Sequence, residues 1–222
     1  MNLYFFLEGK RTEPKVYRAW LAQVFPHLNE VSVISEVKAD SYLLISGFGY
    51  PQLLNRIDEV VADIERHGGI DYLFVCLDSE GDKPEDRIRE IENRVGGKLT
   101  AAVCHTIIHN CCIETWFLGN KQVMKRNPES EKLRTFKTFY DVSVSCPELM
   151  VCPPGYRIRA HFHLDYLKEM LRERGLSYSK EHPREVQKKS YLAALVRRHE
   201  KTGHLQSFGR LVAVWRALNG NI

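Results

Sequence analysis

Five apolar residues in a row, Leu3 to Leu7, give way abruptly to Glu8, Gly9, Lys10 and Arg11. A continuous apolar run of that length suits a strand covered on both faces, and Val16, Trp20, Leu21 and Val24 then recur at helical spacing over 14–25. The chain therefore opens as strand, loop and helix. VSVISEV (31–37) and SYLLISGFGY (41–50) are β-rich, and Pro51 opens a helix whose Leu53, Leu54, Ile57, Val60, Val61 and Ile64 share one stripe. His67-Gly68-Gly69 stops it. IDYLFVCLD (70–78) is the strongest strand pattern in the chain, followed by KPEDRIREIENRVGG (83–97), with proline near the start, Ile88, Ile91 and Val95 on one face, and a glycine stop. TAAVCHTII (100–108) is a further apolar strand and leads into CIETWFLGN (112–120).

Strands alternating with helices at this spacing predict an α/β layer: a largely parallel central sheet joined by right-handed crossovers and flanked by helices. After Asn120 the pattern turns polar and proline-broken. Beyond that stretch Leu164, Leu167 and Leu171 form one helical stripe, a helix is expected near 184–200, and a last one carries Phe208, Leu211, Val212, Trp215 and Leu218. The expected organisation is an α/β core over 1–120 and a mostly helical region over 121–222 that packs on it.

Composition changes this picture little: 222 residues, 44% hydrophobic and 27% charged, are those of an ordinary globular protein. No apolar stretch reaches the roughly 18 to 20 residues that span a bilayer, and the apolar start lacks a basic leader and cleavage site, so a cytoplasmic protein without a membrane partner is expected. The six cysteines lie mostly in apolar runs and show no disulfide framework. Cys146 and Cys152 followed by His161 and His163 are spaced like no common structural zinc site. Net charge is +4, and cations including Lys188, Lys189, Arg197 and Arg198 concentrate between 157 and 216, which permits contact with a polyanion and equally fits a solvated helix face.

Candidate chemistry lies at the strand ends, because ligands of open α/β sheets bind outside the carboxyl ends of parallel strands. Glu8 ends the first strand, Asp78 with Glu80 and Asp82 ends the strand over 70–78, and Glu114 follows the strand over 100–108. Carboxylates at such a rim can hold Mg2+, which takes oxygen ligands; the acids at 78–82 also suit a polar turn. Thr12 or Glu13 can cap the helix that Pro14 enters, but capping does not account for Glu8. Lys10 and Arg11 can offset clustered negative charge or hold a phosphate. His105 and His109, flanking a strand, suit proton transfer or the core, and His161 and His163 alternate as on a short strand.

In order, LEGKRTEPKVYRAWL, FVCLDSEGD and HNCCIETWFLGNK resemble three signature stretches of RloB-like proteins, bacterial Toprim-domain proteins of defence-associated loci related to OLD-type Toprim nucleases. Glu8, Gly9, Thr12, Glu13, Pro14 and Tyr17 match the first stretch, and Ile113, Glu114, Trp116, Phe117 and Leu118 the third. In the second, Asp78 matches while Glu80 replaces the usual second Asp, and Asp82 is an alternative partner. The resemblance covers about residues 3–121 and implies a Toprim-like core that cleaves phosphodiesters of DNA or RNA with Mg2+ or Mn2+. It implies Glu8 as ligand or general base, Asp78 and Glu80 (or Asp82) as ligands and Glu13 at a second ion. Glu114 would contact metal through water or tie down its loop. The implied partners are nucleic acid, an ATPase encoded nearby and, as an open option, a second copy of the chain. The competing reading is a non-catalytic Toprim-like module that docks such an ATPase.

Overall fold

The computed structural model describes residues 1–222. Its centre is a five-stranded parallel sheet of β1 (Leu3–Leu7), β2 (Asn29–Glu30), β3 (Ser41–Ser46), β4 (Tyr72–Asp78) and β5 (Val103–His109), ordered β2-β3-β1-β4-β5. β1 lies between β3 and β4, with Leu7 opposite both Ser46 and Cys76. Three helices accompany it: α1 (Thr12–Val24), α2 (Gln52–His67) and α3 (Pro84–Val95).

The unbroken apolar runs follow from burial on both faces. Tyr4 and Phe6 of β1 and Leu73, Val75 and Leu77 of β4 join Leu53, Ile57, Val61 and Ile64 of α2 and Ile91 of α3 in one core. The alternate residues face α1: Phe5 stacks on Phe74 at 4.4 Å between ring centroids and meets Tyr17 at 5.6 Å. Gly68, at φ 65° and ψ −173°, ends α2 in a positive-φ conformation that glycine adopts readily.

Cα proximity separates two compact units, one of residues 1–77 with 82–108, the other of 78–81 with 109–222. The second holds α4 (Ile113–Phe117), α5 (Glu131–Phe139), α6 (Arg159–Arg172), α7 (Lys189–Thr202) and α8 (Gln206–Ala217). Phe162 of α6 sits among the rings of Phe136, Tyr156 and Tyr166, and Trp116 meets Phe208 edge-on. No helix is long and apolar enough to cross a membrane.

Three local expectations are corrected. The segment 31–37 is not a strand: pairing stops after Val31, whose amide reaches Tyr42 O, and Ile34–Glu36 forms a 3-10 turn with the Glu36 carboxylate accepting from the Ser32 amide. The alternating histidines lie in α6, where helical spacing exposes His161 and buries His163. Helix α7 begins at Lys189, because residues 183–186 form a turn that buries Pro183 and Val186.

Candidate functional site

In the first unit the loop after β1 is tightly held. The Glu8 amide continues the ladder to Cys76 O at 2.9 Å, the Glu8 carbonyl accepts from the Gly49 amide at 2.9 Å, and its Oε1 accepts from the Tyr50 amide at 3.2 Å. Glu8 and Glu13 are both buried. Neither Thr12 nor Glu13 is the cap of α1: the helix starts at Thr12 with Arg11 at the cap position, and Glu13 Oε2 instead accepts the Gly9 amide at 2.8 Å, closing the 8–13 loop on itself. A Cβ at position 9 would stand 3.0 Å from Glu13 Oε1 and press on that carboxylate. Lys10 and Arg11 are exposed at the tip of this loop.

Asp82, also in this unit, is engaged by Arg87 at 2.7 Å. Arg87 also contacts Glu90 at 3.0 Å and lies over the Tyr50 ring, 3.6 Å from its centroid. Asp82 thus belongs to a charge network around Arg87.

In the second unit Asp78 Oδ1 lies 2.8 Å from His109 Nδ1. An ionised carboxylate can only accept, so His109 carries its proton on Nδ1 and fixes the direction of Asp78. The His109 ring is fully buried and edge-on to Trp116, at 4.5 Å and 89°. Backbone bonds from Ser79 N to His109 O (3.0 Å) and from Glu80 N to Cys111 O (2.8 Å) align the two segments. Glu80 is exposed and left-handed, at φ 50°. Glu114 is buried and accepts the Tyr178 hydroxyl at 3.0 Å.

Of the basic residues, Lys189 and Arg197 are exposed and Lys188 pairs with Glu185 at 2.5 Å. Arg198 is 3% exposed and donates to Gly119 O at 3.0 Å and Ser145 O at 2.7 Å, so it ties α7 to the backbone after α4 and to the 141–145 turn rather than facing a ligand.

Sequence reasoning missed a buried cluster around His163. Its Nδ1 lies 2.7 Å from Thr115 Oγ1 and 3.7 Å from Cys111 Sγ, and Cys112 Sγ is 3.6 Å from the same threonine hydroxyl. The Cys112 thiol hydrogen-bonded to Cys111, with help from His163 and Arg159, holds the Cys111 thiol below the ordinary thiol range. Cys112, as the donor of that bond and wholly buried, is pushed up. The adjacent pair in HNCCIETW was its only signal, because His163 lies some fifty residues away. The cysteines weighed with His163 in the sequence are engaged elsewhere: Cys146 Sγ accepts the Leu205 amide at 3.4 Å, and the Cys152 thiol donates to Tyr156 O at 3.2 Å.

No protein-family model matches the chain, and no curated protein or solved structure matches it either.

Proposed function

We propose that the protein is a metal-dependent nuclease that hydrolyses phosphodiester bonds of DNA or RNA, with Mg2+ or Mn2+ held by the carboxylates at the ends of β1 and β4. The observation that carries this reading is the Glu8 amide bonded to Cys76 O, which continues the β1–β4 ladder past the end of β1 and fixes Glu8 at the carboxyl end of the parallel sheet. Carboxylates following neighbouring parallel strands are where an open α/β sheet binds ligands. The donor chemistry fits: Glu8, Glu13 and Asp78 offer hard oxygens, and each has a hydrogen bond that orients it, from Tyr50, Gly9 and His109 respectively. When bound, the ions would activate water and stabilise the departing oxygen. Glu80 would complete the set from its exposed turn, and Lys10, Arg11, Lys189 and Arg197 would hold substrate phosphates.

The three resembling stretches support placing this chemistry in bacterial defence, beside an ATPase partner. Six cysteines without a disulfide agree with a cytoplasmic setting.

The test is Glu8→Gln, which keeps the acceptor for the Tyr50 amide and removes the charge. Labelled DNA and RNA are incubated with Mg2+ or Mn2+; cleavage by the variant should fall to background while its far-UV spectrum and nucleic-acid affinity stay as in the parent. Undiminished cleavage would refute the assignment.

A second reading, the non-catalytic module that docks an ATPase, is favoured by one observation: Asp82 is held by Arg87, which leaves Glu80, an exposed residue in place of the usual second Asp, as the alternative in the acid pair. Calorimetry with Mn2+ separates the two, since a module would take up no ion.

A further inference from the structure

We propose that Cys111, Cys112 and His163 form a buried zinc site, separate from the carboxylates above. The two sulfurs and one imidazole nitrogen all lie within 4.8 Å of one another. A tetrahedral zinc with Zn–S near 2.3 Å and Zn–N near 2.0 Å sets its ligand atoms roughly 3.4–3.8 Å apart. Cys111 Sγ and His163 Nδ1 already stand 3.7 Å apart.

The histidine is prepared for this role. Its Nε2 is 3.4 Å from Met150 O, an acceptor only, so Nε2 carries the proton and the Nδ1 lone pair faces the space shared by the Thr115 hydroxyl and the Cys111 sulfur. A backbone carbonyl on the far nitrogen is the usual support of a metal-bound histidine. Thr115 Oγ1 donates to Nδ1 at 2.7 Å and lies 3.6 and 3.9 Å from the sulfurs, a hydrogen bond that a bound ion would replace.

Charge and burial agree. Cys111, Cys112, Thr115 and His163 are all at most 1% exposed. Both sulfurs would bind as thiolates, giving up to solvent whatever thiol protons they carry, and their two charges would neutralise a dipositive ion that a buried site could not otherwise hold. Thiolates also select against Mg2+, so this ion and the proposed nuclease metal do not compete.

The experiment is elemental analysis of the full chain purified from zinc-supplemented cells, with Cys112→Ser, His163→Gln and Cys146→Ser beside it. Expected are one zinc per chain in the parent and in Cys146→Ser, and at least a tenfold loss in the other two. Should those variants fail to fold, the parent decides alone: stripped by chelator and loaded with Co2+, it should show thiolate-to-cobalt absorption that zinc abolishes. Glu8→Gln should keep its zinc whatever its nuclease activity. A parent without zinc and without the cobalt band would overturn the proposal. So would zinc retained in both variants, or a Cys111–Cys112 disulfide, read as a mass two hydrogens lower.

Discussion

Glu148 sits in the interior, where burial is the main reason its carboxyl pKa is raised and hydrogen bonds from Ser207 only partly oppose it. The Ser207 amide donates to Oε1 at 3.0 Å, and the Ser207 hydroxyl, which also accepts Trp116 Nε1 at 2.7 Å, donates to the same oxygen. A carboxyl whose folded pKa exceeds its unfolded value favours folding below the unfolded value, and that contribution is lost as pH rises through the raised one. Glu148→Gln keeps the acceptor oxygen and never ionises. Thermal melts at pH 5 and pH 8 should therefore show a smaller difference for Glu148→Gln than for the parent, with the variant at least as stable at pH 8. Identical pH profiles would count against a buried charge at this position.

At the level of elements, α7 and α8 meet where a side chain has no room. A Cβ on Gly209 would fall 2.2 Å from His199 Cε1, and the His199 ring is held by its Nδ1 on His204 O at 2.8 Å. Neither side can yield freely, so Gly209→Ala should cost about 1–3 kcal/mol in urea unfolding, the range for overpacking. Nothing in QSFGRLVAVW announces this, because a glycine inside a helical pattern reads as a weakness until its neighbour is known. What the sequence did disclose are elements whose pattern is set by burial alone: β1 and β4 as unbroken apolar runs, α2 and α3 as stripes. Glu8 and Asp78 stood out for the same reason, each being the acid that interrupts such a run. The partners of Glu114, Arg198 and His163 were illegible, since each contact joins residues more than fifty positions apart. The 31–37 segment misled because β-branched residues on an exposed edge carry the strand signature without the pairing.

For the whole molecule, a net charge of +4 does not say what a polyanion meets, because cations differ in whether they face solvent. Neighbours on α7 make the contrast. Arg197 is exposed, whereas Arg198 is buried against the carbonyls of Gly119 and Ser145. Each neutralised phosphate contributes about 0.9 to the slope of log affinity against log salt for duplex DNA. If α7 contacts the backbone, the pair Lys189→Gln and Arg197→Gln should lower that slope by about 2 and leave the melting temperature unchanged. Arg198→Gln should do the opposite: burial already lowers the pKa of this guanidinium, and its removal strands carbonyls that it serves, so the melt should fall while the slope per folded molecule holds. Fluorescence anisotropy over a salt series, with melts on the same samples, reads both quantities. An unchanged slope in the double variant would move nucleic-acid contact away from α7 and onto the other exposed cations, of which Lys10 and Arg11 beside Glu8 are the next to replace.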